Sequence, residues 1–351
     1  MKNSDINIRE NRYRSKKTRK KGKLKSILAY VIFTLVFTII VAPFTLLYGP
    51  FKNAQKIYVG TAKGSMHYQW LATMFLSQEK IDEILGNNDK ENNEINDMET
   101  EDSNNIEISE RKDDSIERKE ISDENNKFKG YALIISDSTR LKIGVSSKLF
   151  KEGETVSQIA ENYKAVAAIN GGYFTDEAGA ERWSSNGGIP TGFLMTGGEI
   201  KQNIDSNIKS PIIAITKEGR LLIGETTINK LLAKKENDKD TVTEAMSYEK
   251  TLIKSGQPVR LEDNQGSSPK TMIGQRSNGT IVLVVLDSNL PGGRICATLK
   301  EAQRVMIDLK CYNAVNLDGG KSTTMYLNGE VINNPSYALG ERPISAGFIV
   351  K

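Results

Sequence analysis

Residues 314–328 read Ala314-Val315-Asn316-Leu317-Asp318-Gly319-Gly320-Lys321-Ser322-Thr323-Thr324-Met325-Tyr326-Leu327-Asn328. The apolar start has the character of a buried strand. The part after Thr324 reads as a second strand ending in the Asn328-Gly329 turn. Between them come a carboxylate, two glycines, an ammonium and three hydroxyls. A packed core would take apolar groups there, so this density of polar groups marks a binding or catalytic place. The glycines permit close approach of the backbone to a ligand. Upstream, Ala167-Ala168-Ile169-Asn170-Gly171-Gly172-Tyr173-Phe174 has the same form, an apolar run ending in Asn and a Gly-Gly pair. Two such strand ends in one domain point to one shared site.

Outward from these ends, short β-like runs recur at 131–135, 141–145, 166–169, 192–195, 212–215, 221–223, 251–253, 281–286, 314–317 and 346–350. Helical patterns are fewer, at 155–162, 228–235 and 298–309. Thr298 with Glu301 three residues on forms a capping-box pattern. The predicted class is α+β, a mixed β-sheet domain over 128–351 with a few covering helices. Loops around 175–190 and 255–270 are poor in apolar residues and either line a cleft or form surface. Cys296 and Cys311 flank the 298–309 helix. A helix of that length, about 21 Å, holds them beyond the ~7 Å that a disulfide spans, so both read as small buried hydrophobes.

The net charge of +4 averages two unlike regions. Residues 1–25 hold 11 Lys/Arg against 2 Asp/Glu, leaving 37 basic and 42 acidic residues for the rest, a net of −5. That excludes nucleic-acid binding by a broadly basic domain. Residues 27–48 are 22 residues without a charge, and about 20 span a bilayer. The run exceeds the ~7–15 residues of a signal-peptide core and lacks a clear small-x-small site, so an uncleaved anchor is expected. The basic excess before it puts 1–26 in the cytoplasm and the main domain outside the cell membrane. Residues 49–86 read as a membrane-proximal helical stalk with an amphipathic run at 66–85. Residues 87–126 hold 15 Asp/Glu, 5 Lys/Arg and 9 Asn with no aromatic, Gly or Pro. Such a segment buries too little apolar surface to offset chain entropy, so 87–127 reads as a disordered acidic linker.

The lone histidine, His67, precedes the outer domain. A Ser-His-Asp triad, a His-ligated zinc and Cys-His catalysis are therefore excluded from that domain. Acid–base work falls to carboxylates, Lys, Tyr or water. Carboxylates beside turn signals are Asp176, Glu177, Glu181, Asp287, Asp318 and Glu341. Asp318, at an apolar strand end beside Gly-Gly, is the best placed of them. Gly319-Gly320-Lys321-Ser322 is no Walker A loop, because Val315 stands where that motif needs its first Gly and a strand follows rather than a helix. Its backbone N–H groups still suit a phosphodiester oxygen, with Lys321 supplying charge. Asp318, Asn170 and neighbouring carbonyls are hard oxygen donors that suit Ca²⁺ or Mg²⁺. No loop has a recognisable ligand spacing, and the metal question stays open.

Ala-Ile-Asn-Gly-Gly-Tyr-Phe (168–174), Pro-Thr-Gly (190–192), Pro-Lys-Thr-Met-Ile-Gly (269–274), Ala-Thr-Leu-Lys-Glu-Ala (297–302), Asn-Leu-Asp-Gly-Gly (316–320), Asn-Asn-Pro-Ser (333–336) and Glu-Arg-Pro-Ile (341–344) occur in this order. With them, 128–351 resembles the phosphodiester glycosidase family. The resemblance implies cleavage of the glycosyl–phosphate bond of a sugar-1-phosphodiester. It implies one site with Asp318 and Glu341 as catalytic carboxylates. Asn170, Gly171, Gly172, Lys270, Gly319, Gly320, Lys321, Ser322, Thr323 and Arg342 would bind substrate. The chain departs from the family pattern at Lys270, where Arg is usual, and at Lys321, where a third Gly is usual. Lys is a poorer bidentate phosphate clamp than Arg. The alternative is therefore a glycan- or phosphate-binding module on the same fold without turnover. A purely structural spacer explains the apolar run but not the polar strand ends.

Overall fold

The computed structural model describes residues 25, 27–63, 70–85, 98, 105–108, 113–175, 186–233, 240–261, 266–290 and 296–351. His67, Asp176, Glu177, Glu181 and most of 87–112 lie outside the described residues. The chain divides into two compact units, Met1–Leu85 and Gly86–Lys351.

In the first unit, Ile27–Tyr48 is one helix, long and apolar enough to cross a membrane. Helices Lys52–Lys63, Trp70–Thr73 and Gln78–Leu85 follow. The single amphipathic run expected over 66–85 is thus two helices among its described residues. Ser77 is the reason. Its hydroxyl accepts from Lys80 N at 3.3 Å, and Glu79 follows in the first turn, so a new helix starts there.

The second unit is built on three sheets, and the described strand pairings are antiparallel throughout. The largest runs Ile116–Ser122, Phe128–Ile135, Ile281–Ser288, Lys270–Arg276, Cys311–Asn316, Lys250–Lys254, Gln257–Pro258. A second runs Leu221–Thr226, Ser210–Thr216, Val242–Ser247, Leu194–Thr196, Glu199–Gln202. A third runs Glu330–Val331, Met325–Leu327, Ala167–Asn170, Ala346–Val350, Leu141–Val145.

The unbroken apolar run at Ile281–Leu286 follows from both faces being covered. Ile281, Leu283 and Val285 enter the core shared with the other two sheets, through Ile169, Ile213 and Phe348. Val282, Val284 and Leu286 enter a second core under the helix Leu299–Asp308. That helix starts at Thr298 with the complete capping box to Glu301. The helix Val156–Tyr163, capped by Thr155 and Gln158, covers the third sheet through Ile159 and Ala160. Cys296 and Cys311 are both buried and unpaired.

Three differences from the sequence reading have local causes. Residues 116–122, placed in the acidic linker by composition, form an edge strand paired to Phe128–Ile135 in register from Ile116↔Ile135 to Ser122↔Lys129. Its charged residues face solvent while Ile116 and Ile121 pack inward. The strand Lys270–Arg276 lies inside the largest sheet although its Gln275 is fully buried. Gln275 accepts from Leu221 N at 2.7 Å and donates to the carbonyls of Gly219 and Gly279, both at 2.8 Å. Val242–Ser247 hides its strand character behind the buried Glu244, which accepts from Ile143 N and Gly197 N. The helix expected over 228–235 is Ile228–Leu232, with 234 and 235 outside the described residues.

Candidate functional site

Two connections between sheets meet where the polar strand ends lie. The chain leaves the largest sheet at Asn316 and enters the third at Met325. It leaves the second sheet at Ser247 and enters the largest at Lys250, directly opposite Asn316. Backbone bonds fix the crossing: Leu317 N to Thr271 O at 2.8 Å, Asp318 N to Gly171 O at 3.2 Å, and Glu249 N to Asn316 O at 3.1 Å.

Asn170 holds this junction. Its Oδ1 accepts from Thr271 Oγ1 at 2.7 Å and from Thr324 N at 3.1 Å, while its Nδ2 donates to Asp318 O at 2.6 Å. The structure thus brings Asn170 and Asp318 together, with the Asn170 side chain occupied in clamping three segments. Gly319 is needed for a similar reason. A Cβ there would lie 2.6 Å from Pro269 O, so the loop closes on the Lys270 strand only without one. Gly320 has φ +61 and donates its N–H to Pro269 O at 2.9 Å. Among the described residues, this glycine pair brings the loop close to the chain's own backbone.

Asp318 is buried at 9% exposure. Burial pushes its carboxyl up to about 6, and the negative charge of Glu249 adds to that. The Ser322 hydroxyl, beside it without closing a hydrogen bond, and the Arg342 guanidinium pull the other way. Asp318 Oδ2, Ser322 Oγ, Thr323 Oγ1, Thr324 Oγ1 and Asn316 Oδ1 are buried without a hydrogen-bond partner among the described residues. Each such atom is costly unless something meets it.

Glu249 is the residue that sequence reasoning missed. It follows Tyr248 in the short link between two sheets, where no glycine or motif marks it. Its carboxylate accepts from Asn316 Nδ2 and from the Tyr173 hydroxyl. Burial lifts its carboxyl above the ordinary range, against the opposing charge of Lys270. Part of the side chain is solvent-exposed, so Glu249 borders open space while its carboxylate is drawn inward. The same burial and the charges of Glu249 and Asp318 hold the Tyr173 hydroxyl well above its usual value, so it stays protonated as a donor. A signal was present in Tyr173, which directly follows Gly171-Gly172.

Lys270 is buried and donates to Ser268 O at 2.9 Å and Ser268 Oγ at 2.6 Å. Burial lowers its ammonium, and Glu249 opposes that. Arg342 is buried with its guanidinium 4.6 Å from the centre of the Phe174 ring, a cation–π contact that fixes its plane. Lys321 is exposed. Glu341 is held at a helix start. Both its oxygens accept from Ser157, one from the backbone N at 3.0 Å and one from the hydroxyl, at the start of the helix Val156–Tyr163. A carboxylate there meets the positive end of the helix dipole. Asp287 likewise serves structure. It accepts from Asn333 Nδ2 at 2.9 Å and Asn334 N at 2.8 Å, and Asn333 in turn donates to Thr323 O at 3.1 Å. Among the described residues, no three His, Cys, Asp or Glu gather as metal ligands.

The family profile described as phosphodiester glycosidase matches residues 163–351, which contain every part of this junction. The chain belongs to the phosphodiester glycosidase family. It is 26% identical over 203 residues to the N-acetylglucosamine-1-phosphodiester alpha-N-acetylglucosaminidase of Bos taurus, covering 53% of this chain and 36% of that protein. It is 26% identical over 194 residues to the SPbeta prophage-derived uncharacterized protein YomE of Bacillus subtilis (strain 168), covering 52% of this chain and 27% of that protein. It therefore spans roughly a quarter to a third of these relatives' length. The catalytic domain of the zebrafish N-acetylglucosamine-1-phosphodiester alpha-N-acetylglucosaminidase, auto-inhibited by its pro-peptide, superposes with a TM-score of 0.54. That match has 19% identity and covers 70% of this chain and 86% of that one, a likeness of fold.

Proposed function

We propose that this phosphodiester glycosidase hydrolyses the glycosyl–phosphate bond of sugar-1-phosphodiesters in envelope or extracellular glycans. In this reading Ile27–Tyr48 anchors it in the cell membrane, with the basic N-terminus inside and the main domain outside. The observation that carries the catalytic reading is the pairing of Asp318, held up to about 6, with Glu249 across the sheet junction. Burial raises both carboxyls, and Lys270, Asn316 and Tyr173 oppose it at Glu249; a pair of carboxylates is the means by which glycosidases divide acid from charge stabiliser.

Asp318, protonated below about pH 6, gives its proton to the bridging oxygen as the C1–O bond breaks. The oxygen leaves with the phosphomonoester. Glu249, in the ionised form that Lys270, Asn316 and Tyr173 favour against burial, faces the positive charge that develops at C1. Water adds its hydroxyl to C1 and yields one proton to the cluster. The Arg342 guanidinium and the hydroxyls of Ser322 and Thr323 hold the phosphate. These hydroxyls are the buried, unpartnered atoms described above, so an incoming oxyanion supplies what they lack.

Incubating the full chain with an α-linked sugar-1-phosphodiester releases free sugar in this reading, and Asp318→Asn abolishes the release. Absence of release from wild type over a panel of sugars would remove the hydrolase reading. One observation favours the second reading, a binding module without turnover: Glu341, the family-implied carboxylate, is engaged by the helix at Ser157. Tight glycan binding with no product would support it.

A further inference from the structure

The apolar helix does not end as a free stalk. Its last turns are built into the small helical unit around Leu47, which is buried with Val59, Ala72 and Ile81. The Phe44 ring meets Phe75 edge-on at 5.8 Å between centres, and the Tyr48 hydroxyl donates to Phe75 O at 2.5 Å. Tyr58 donates to Leu71 O at 3.3 Å, and Gln55 Nε2 to Leu47 O. These bonds fold Lys52–Lys63 and Trp70–Thr73 back against the helix end.

The outer surface of this unit is unlike that of a soluble bundle. Phe44, Tyr48, Phe51, Trp70 and Met74 are 52%, 62%, 55%, 51% and 62% exposed. Trp70 and Met74 are one turn apart and joined by Met74 N to Trp70 O at 2.9 Å. All five surround the point where the apolar helix gives way to charged sequence. The helix Lys52–Lys63 carries Lys52, Lys56 and Lys63 and no acidic residue. Aromatic rings with a wet edge and lysines on flexible stems are what the headgroup layer of a bilayer accepts. Pairing of this helix with its own copy would set lysines against lysines, whereas anionic lipid complements their charge.

We propose that the helical unit is an interfacial platform, with Phe51, Trp70 and Met74 inserted at headgroup depth in the leaflet where the apolar helix ends. Lys52 and Lys56 then lie against anionic lipid phosphates. The proposal rests on the anchor reading given above and adds a lipid-binding surface outside the span. It makes the helices Lys52–Lys63 and Trp70–Thr73 a lipid-bound base for the chain outside the span.

The chain has two tryptophans, Trp70 and Trp183, so Trp183→Phe leaves Trp70 as the sole reporter. The full chain with this change is placed in phosphatidylcholine–phosphatidylglycerol vesicles whose acyl chains are brominated near the carbonyl end or near the methyl end. The expected result is blue-shifted emission, stronger quenching by the shallow bromines than by the deep ones, and loss of quenching by aqueous iodide. Replacing Lys52 and Lys56 by Gln reduces the blue shift in anionic vesicles and leaves it unchanged in purely zwitterionic ones. Water-like emission quenched by iodide, in chain that resists alkaline carbonate extraction, overturns the platform and leaves the anchor standing. Emission quenched by neither iodide nor bromolipid places Trp70 in a protein contact and overturns it also. Extraction of the chain by carbonate removes the anchor and the platform together.

Discussion

In the proposed reading Asp318 couples activity and stability to pH in the same direction, both falling as it ionises. Its folded value of about 6 exceeds the ordinary 3.8, so the folded chain holds a proton that the unfolded chain has lost between those values. The stability this proton gives is present at low pH and is lost as pH rises through about 6. Above that, an ionised buried carboxylate costs up to about 3 kcal/mol. Asp318→Asn is expected to stabilise the protein by up to that amount at pH 8 and by little at pH 4, read by urea denaturation at both. The same variant lowers kcat by about 10²–10⁴ and removes the fall in rate above pH 6, read in a pH–rate profile. Lys270→Met acts from the other side. Without the ammonium that opposes burial, the Glu249 carboxyl rises further, so the acidic limb of the profile moves to higher pH. A limb that stays in place would mean that Lys270 does not hold the Glu249 charge. Glu341→Gln is expected to cost about 1 kcal/mol of stability through the helix start while leaving the position of both limbs unchanged.

Elements set how these side chains meet, and they show what the sequence disclosed. The two Gly-Gly strand ends were legible because an apolar run that stops at Asn or Asp and glycine has few other uses. The helix at 298–309 was legible from the Thr298–Glu301 capping box, and that at 155–162 from its apolar pattern. Glu249 was not legible, because its place in the cluster comes from Asn316 at one strand end and Tyr173 in a loop, both distant in sequence, and no local pattern encodes that. The strands through Gln275 and Glu244 were hidden for a related cause: each buried polar side chain is satisfied by backbone groups of a different sheet. Glu341 adjoins Arg342 in sequence, and its carboxylate is held at a helix start by Ser157, a contact that no local pattern disclosed. The glycines test the element-level account. Gly319→Ala forces a contact at 2.6 Å with Pro269 O and should cost about 1–3 kcal/mol with loss of turnover, read by thermal unfolding and sugar release. Gly320→Ala meets no atom within 4 Å and strains only its φ of +61, at about 1–2 kcal/mol.

At the scale of the whole molecule, the site belongs to one unit and the apolar helix to the other. Residues 86–351 expressed alone are expected to unfold in one cooperative transition and to keep the kcat/KM of the full chain on a water-soluble phosphodiester. A large loss would mean that the helical unit contributes to the site. The Asn170 clamp has one more implication, which concerns timing. It ties residues separated by 148 and 154 positions, and Glu249 meets its partner 67 positions away. Contacts of such long range form late in folding, because long loops must close before they are rewarded. A nascent chain therefore has neither a raised Asp318 nor an oriented Glu249. In the proposed reading, hydrolytic capacity arrives only when the last strands have docked, so the chain is inert while it is being made.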